Sequence, residues 1–390
     1  MIEKLPDKQP DQPDKDSVTR RVFIGGAGAV FVSRLLGVGA SHGEELQGTR
    51  QAPHEMKSLD APTREKIIKS ALNSISPAET ERILEGGSDE EIADTLRKWP
   101  EFLTRAEPYF ADTTFDPMPA IQAHGFPSIQ IRDTDLAEHI ERGAHFRVGS
   151  VADNTYEAQS LSGNAFVVEY EKNGKTSQAV FTNEHVATPL GLPVFSDAPE
   201  DVDIAAINMP VMTRGLPRPL KFEPRTLPKT LTGALVFNPV VKADPGTPHV
   251  EKVRVGVALR VTPHLVDFLM RQRDAKTNHL LTEREQYVED VMRSMLLRSY
   301  MVLAPAWEQA EQRAVRVVAG AWEHMRFSFA QATSGSPWVM IGPDKKMQLV
   351  GVHSSGALLT AGVFGTKAVG ASFFYGPDAI QKVVDSITDK

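Results

Sequence analysis

Gly163-Asn164-Ala165-Phe166-Val167-Val168, the turn Lys172-Asn173-Gly174-Lys175, and Ala179-Val180-Phe181-Thr182-Asn183-Glu184-His185-Val186 decide how this chain folds. Two short, apolar, β-branched runs flank an Asn-Gly pair. Asn-Gly supplies the two left-handed positions of a tight hairpin turn, so the segment is predicted to be two antiparallel strands. His185 follows directly on the second strand. An imidazole just past a buried strand is held firmly and can still face a cleft, although a strand-end histidine can also simply bond to backbone.

The texture around this hairpin is that of many short strands. Val202 to Ile207, Gly233 to Phe237 and Lys252 to Val261 continue it, with Pro, Gly and Asp turns between them. Further strands are predicted at Arg326 to Gln331, Trp338 to Ile341, Met347 to His353 and Ala368 to Phe374. Such punctuation points to paired sheets or barrels rather than a parallel sheet with crossover helices. Pro377 opens a terminal helix with Ile380, Val383, Val384 and Ile387 on one face.

Helical signals occupy two other regions. Between about Leu59 and Leu103, Ser76-Pro77-Ala78-Glu79 and Ser88-Asp89-Glu90-Glu91 read as helix starts. Gly86-Gly87 ends the first helix, and the second carries Ile92, Leu96 and Trp99 at helical spacing until Pro100. Residues 105–140 read as a linker or wrapping segment. The whole stretch suits either a pro-segment or an appendage packed on the main body. From about Leu265 to Met325 the texture is helical again. Thr282-Glu283-Arg284-Glu285 is a capping box there, and Val288, Val291, Met292, Met295 and Leu296 form an apolar face for core packing or a partner.

Composition narrows the function. The 390 residues carry a net charge of -7 and no basic stripe, which argues against a nucleic-acid partner. With no cysteine, disulfides, thiolate nucleophiles and thiolate metal sites are excluded. There is no His-Glu-x-x-His pattern. His139 and His145 lack suitable partners and read as surface residues, so neither a metal nor a cofactor is expected. The leader Thr19-Arg20-Arg21-Val22-Phe23-Ile24, a short Gly/Ala-rich apolar segment and Val38-Gly39-Ala40-Ser41 resemble a twin-arginine export signal over about residues 1–40. No run of about 18 uncharged apolar residues occurs, so no stable membrane span is expected once the signal is removed. An uncleaved N-terminal anchor is the alternative. Oligomeric state cannot be read from the chain.

Ala332-Thr333-Ser334-Gly335-Ser336-Pro337 is the second decisive stretch. A serine among small residues can stand on a tight turn with its hydroxyl exposed, and a carbonyl can approach the neighbouring N–H groups. Such a serine needs an oriented base to take its proton. Asp203, followed by the aliphatic run Ile204-Ala205-Ala206-Ile207, suits the carboxylate that would orient His185. Asp201 and Asp197 are rivals on spacing, and an ordinary acidic turn is the other reading.

Jointly these segments resemble trypsin-like serine endopeptidases over about Phe146 to Ile387. Thr182 to Val186 matches that family's Thr-x-x-His-Val pattern. The serine segment is similar to its Gly-x-Ser-Gly-[Gly/Ser]-Pro motif, with Ser334 as nucleophile and Ser336 as its neighbour. Leu349-Val350-Gly351-Val352-His353-Ser354-Ser355-Gly356 resembles the strand lining the substrate cleft. The resemblance implies a mainly β fold, a double β-barrel, to which the residue patterns add a helical N-terminal segment and a helical insert that the resemblance leaves unexplained. The expected divisions are a helical segment at 41–140, a protease domain at 141–390 with barrels at about 141–218 and 219–390, and an insert at about 265–325.

It also implies a triad of His185, Asp203 and Ser334, with the backbone N–H groups of Ala332 and Ser334 as the oxyanion hole. Ser328, Phe329, His353, Ser354 and Gly356 would line the pocket. His353 resembles the histidine that reads acidic side chains in bacterial glutamyl endopeptidases, where Phe329 departs from the usual hydroxyl residue. Ala332 stands where the family has glycine, and Thr333 where it has Asp or Asn. The expected activity is cleavage of protein or peptide substrates by an exported, periplasmic or secreted enzyme. The alternative is a protease-fold binding protein with impaired catalysis. Replacing Arg20 and Arg21 by Lys is expected to block export, read by fractionation and size; unchanged processing excludes the twin-arginine reading.

Overall fold

The computed structural model describes residues 59–106, 109–125, 127–132, 162–188, 192, 194–199, 201–207, 218–244, 247–277, 293, 296–305, 316–318, 321–323, 334–359 and 369–387. The expected export signal, the strand at 326–331, the capping box at Thr282 and the residues His139 and His145 lie outside them. So does the apolar face from Val288 to Met295.

The hairpin forms as its sequence dictates. Strand β2 (Ser162–Lys172) pairs antiparallel with β3 (Lys175–Thr182), in register from Phe166↔Phe181 to Lys172↔Lys175. Asn173 and Gly174 take φ of 53° and 72°, the two positive values that a tight hairpin turn requires. Alternation then sorts the side chains. Phe166, Val168, Tyr170, Ala179 and Phe181 enter the main core. Ala165, Val167 and Val180 join Val186, Ala187, Ala205 and Ile207 in a smaller cluster on the other face.

Strand β1 (Ile129–Arg132) pairs antiparallel with the start of β2. Strand β4 (Ala205–Ile207) extends the far side of β3, and β5 (Leu220–Phe222) runs parallel to β2. The second half is antiparallel: β6 (Leu235–Asp244), β7 (Thr247–Arg260), β8 (Ser299–Pro305), β11 (Pro337–Ile341), β12 (Met347–Leu359) and β13 (Val369–Tyr375). Between β8 and β11 lies a separate two-stranded pair, β9 (Arg316–Val318) and β10 (Ala321–Glu323). In the second half, neighbours run β6-β7-β8-β13-β12, and β11 pairs with β12 and, at Val339↔Phe237, with β6. Because β5 also pairs with β12 at Gln348↔Lys221, both halves belong to one eleven-stranded, mostly antiparallel sheet. The β-rich class matches the expectation, and the described strands join in one continuous sheet.

Two elements cross the expected divisions. β1 precedes residue 141, the expected start of the β domain, yet its partners are Ser162 to Ala165 of β2. The stretch 265–325 is not a helical insert throughout. After the helix Pro263–Thr277, β8 lies between β7 and β13 and pairs with β13 over seven residues. Met301, Val302 and Leu303 are all fully buried. A strand covered on both faces shows no alternation, so periodicity could not separate it from buried helix.

The N-terminal helices are α1 (Ala61–Asn73), α2 (Pro77–Gly86), α3 (Asp89–Ala106) and α4 (Met118–His124). Ser76 Oγ accepts from Glu79 N at 3.3 Å at the start of α2. At the predicted start of α3 the bonding is reciprocal: Glu91 N donates to Ser88 Oγ at 3.3 Å, and Ser88 N donates to Glu91 Oε2 at 2.7 Å. Helix α3 continues through Pro100, where it was expected to stop. Its buried Ile92, Leu96, Trp99 and Ala106 flank the proline, and their packing outweighs the lost hydrogen bond.

These helices share the main core with Val257 and Leu259 of β7, and Trp99 Nε1 donates to Val257 O at 2.9 Å. Thr262 Oγ1 donates to Leu84 O, and His264 Nε2 bonds to Gly87 O at 2.6 Å just before and within α5 (Pro263–Thr277). The appendage reading of the segment therefore fits the packing, because removing it uncovers sheet core. A one-turn helix, Glu184–Ala187, follows β3, and the terminal helix α6 (Pro377–Ser386) buries Ala379, Ile380, Val383 and Val384. Lys172 Nζ of β2 donates to Asp385 O at 3.1 Å and to Ile387 O, tying that helix to the first half. Trp99→Ala is expected to cost about 3–5 kcal/mol, lowering the urea midpoint followed by circular dichroism. Deletion of residues 1–106 should give insoluble protein; a stable, soluble remainder excludes a shared core.

Candidate active site

Three local features place His185. Antiparallel pairing of Thr182 with Ala205 brings the segment before β4 alongside the end of β3. Asn183 then breaks from the strand at φ -81°, ψ 150°, and starts the single helical turn that holds His185. Its side-chain Nδ2 donates to Asp203 O at 2.6 Å, which anchors the aspartate's backbone to the same turn.

Asp203 grips His185 at two points. Oδ1 accepts from the His185 backbone N–H at 3.0 Å, while Oδ2 lies 2.5 Å from the ring Nδ1. A carboxylate only accepts, so Nδ1 carries the proton and Nε2 keeps its lone pair on the opposite edge. The side chains are 17% and 9% exposed, so this is a partly dry ion pair. Burial opposes the charged ring most strongly, but the Asp203 charge and hydrogen bond outweigh it and raise the His185 pKa above 6.5. The rival aspartates are elsewhere engaged or exposed. Asp201 pairs with Arg298, and Asp197 faces solvent.

Ser334 sits against this hairpin. Its carbonyl accepts from Asn164 N at 2.7 Å. A Cβ added to Gly163 would meet Val186 at 2.6 Å and Ser334 O at 3.2 Å, so the serine turn and the residue after His185 flank one glycine. Gly335 has φ of +80°, and a Cβ there would fall 2.2 Å from Asn164 O and 2.7 Å from Thr182 Oγ1. Only glycine permits this backbone and this approach. The Ser334 hydroxyl donates to Ser354 O at 3.2 Å; among the described residues it makes no hydrogen bond to His185. Ser336 has a different role: buried, its Oγ accepts from Asn238 Nδ2 at 2.9 Å, and the same amide donates to Pro337 O at 2.7 Å.

Strand β12 follows. Gly335 N donates to His353 O at 2.9 Å, and His353 N donates to Ser336 O at 2.8 Å. Gly356 pairs with Ser372 of β13. His353 itself is only 3% exposed, with the Trp338 indole donating to its Nδ1 at 3.3 Å and Arg254 Nη1 lying 3.5 Å from Nε2. Burial first, then the charges of Arg254 and His185, hold it well below its usual pKa, so the ring is neutral. Tyr375 is buried as well, and burial followed by the Asp203 charge pushes its hydroxyl pKa well up.

Ser328, Phe329, Ala332 and Thr333 lie outside the described residues. The others fall in two places: His185 and Asp203 at the β3–β4 end, and Ser334, in the turn before β11, with His353, Ser354 and Gly356 of β12. Asn183, Asn164, Thr182, Trp338 and Arg254 were not foreseen. Their roles depend on cross-strand partners, which leave no local pattern in sequence. Asn164 and Thr182 lay inside the quoted hairpin, yet only the seating of Gly335 gives them meaning. Among the described residues no three metal-capable side chains cluster, and no helix is long and apolar enough to cross a membrane. The chain matches no known family and no curated protein in sequence.

An imidazole oriented by its Nδ1, with the Nε2 lone pair on the opposite edge, can accept a proton from a serine hydroxyl. Because the fold raises the His185 pKa, the stability it contributes is complete below about pH 6.5, the unfolded value, and fades as pH rises through the folded value. Asp203→Asn removes the carboxylate charge, the foremost of the effects that raise it, while the burial and the Glu184 charge remain. The His185 pKa, followed by imidazole NMR, is expected to fall in that variant to below the wild-type value. An unchanged titration excludes the ion pair as its cause.

Proposed function

We propose that this protein is a serine endopeptidase of the trypsin-like kind, with His185, Asp203 and Ser334 as its triad. The two-point grip of Asp203 on His185 carries the reading, because it orients an imidazole with its basic edge available beside a serine turn. The finer architecture proposed is two β-barrels meeting at the cleft, supported by the return of β11 to β6 in the second half. An exported, periplasmic or secreted enzyme acting on protein or peptide substrates fits the N-terminal sequence.

The steps balance without a cofactor. His185 Nε2 takes the Ser334 hydroxyl proton as Oγ bonds to the peptide carbonyl carbon, giving a tetrahedral oxyanion. The N–H groups of Ser334 and Ala332 are proposed to hold that charge. The imidazolium returns its proton to the leaving nitrogen as the C–N bond breaks. Water, deprotonated by the same imidazole, then attacks the acyl-enzyme and frees Ser334. A rate limb controlled by His185 falls as pH drops below its raised pKa, since the imidazolium cannot accept a proton.

A second reading, a protease-fold binding protein with impaired catalysis, is favoured by one observation: the Ser334 hydroxyl donates to Ser354 O instead of to His185. Apo catalytic hydrogen bonds often tighten only with substrate, so the first reading stands ahead. A fluorophosphonate probe is expected to label the wild type and fail on Ser334→Ala, with His185→Ala slowed by about 10³-fold or more. Labelling that survives Ser334→Ala excludes that nucleophile, and an unlabelled wild type favours the binding protein.

A further inference from the structure

Tyr375, at the end of β13, is a buried titratable group that the proposed reaction leaves unused. It is 1% exposed and packs in the main core, and among the described residues its hydroxyl completes no hydrogen bond. A buried phenol O–H needs an acceptor. Strand register shows what lies near it. Tyr375 stands opposite Val352 of β12, two residues before Ser354, and opposite Ser299 of β8. Arg298, next to Ser299, pairs with Asp201 and so draws the segment carrying Asp203 toward the end of β13.

The phenol therefore lies where the carboxylate that orients His185 approaches the strand whose Ser354 O accepts from Ser334. Burial first, then the Asp203 charge, keep the proton on the phenol. The Asp203 backbone and the Ser354 hydroxyl act on the same oxygen in the opposite sense, and Asp201 adds weakly to the first. The group is thus a neutral donor throughout the range in which His185 titrates. Asp203 has room for it. A carboxylate offers about four lone-pair sites. His185 takes one on each oxygen, Oδ1 through its backbone N–H at 3.0 Å and Oδ2 through ring Nδ1. At 9% exposed, the aspartate meets little water at the others.

We propose that Tyr375 is a positioning residue: its hydroxyl donates to the Asp203 carboxylate and accepts from the Ser354 hydroxyl, fixing the orienting acid against the serine strand. Its catalytic meaning rests on the serine endopeptidase reading; the contact itself does not. A donor on the carboxylate draws off part of its charge and tempers its hold on the His185 imidazolium. His185 then stays basic enough to take a proton without trapping it. The same bond closes the hydrogen-bond account of a phenol that is otherwise buried without a partner.

The test is Tyr375→Phe in the full chain, which keeps the ring and removes only the hydroxyl. The other charged and titratable groups around the pair, Glu184, Asp201 with Arg298, and neutral His353, are unchanged by it. Followed by imidazole NMR, the His185 titration is expected to move up by about half a pH unit, because Asp203 recovers charge. In an Asp203→Asn background the same substitution should move it far less. Fluorophosphonate labelling, read on its high-pH plateau, should slow by about three- to tenfold. An unmoved His185 titration, an equal shift without the carboxylate, or labelling at the wild-type rate overturns the proposal. A shifted titration in a protein that never labels keeps the contact and removes the endopeptidase reading. Should Tyr375→Phe not fold, the wild-type Tyr375 hydroxyl proton decides: it should resonate downfield of an unbonded phenol and move as His185 titrates, and a proton that stays put overturns the contact.

Discussion

The absence of a side chain at Gly335 is the constraint on which the site depends. Its backbone presses to within side-chain distance of Asn164 O and Thr182 Oγ1, and Thr182 Oγ1 itself donates to Asn164 O at 2.7 Å. That contact seats the turn carrying Ser334 on the hairpin carrying His185. Asn164 N donating to Ser334 O at 2.7 Å and Gly335 N donating to His353 O at 2.9 Å then hold the turn between β2 and β12. A Cβ at Gly335 would push apart the elements that bring serine and histidine together.

Around that contact, the two halves are joined more than once. β5 hydrogen-bonds to β2 on one side and β12 on the other, and Lys172 of β2 holds the carboxyl end of the terminal helix. Arg298, just before β8, pairs with Asp201 two residues from Asp203. The N-terminal helices close the other side by packing on β7 and β8. The site is thus a product of the whole described body, and the helices belong to its core instead of decorating it.

Legibility followed the range of the interaction concerned. The hairpin turn at Asn173-Gly174, the caps at Ser76 and Ser88 and the opening of the last helix at Pro377 were all readable, because each is set by residues two to four apart. His185 and Asp203 were readable because each ends or begins a short apolar strand. What failed was non-local. Pro100 reads as a stop until buried neighbours on both sides hold the helix straight through it. Residues 299–305 read as part of a helical stretch until β7 and β13 pair along the two edges. Ile129–Arg132 reads as linker until β2 supplies its partner 30 or so residues away.

By itself the sequence determined the candidate chemistry: which residue types could serve as nucleophile, base and orienting carboxylate, which segments alternate, and where tight turns fall. Those are properties of side-chain chemistry and short-range backbone preference. Only the tertiary structure decided that Asp203 and not Asp201 grips His185, that Ser336 packs inward while Ser334 does not, and that Arg254 stands behind His353. Each of these rests on strand register between distant segments, where one side chain's meaning is set by a partner that local sequence does not name.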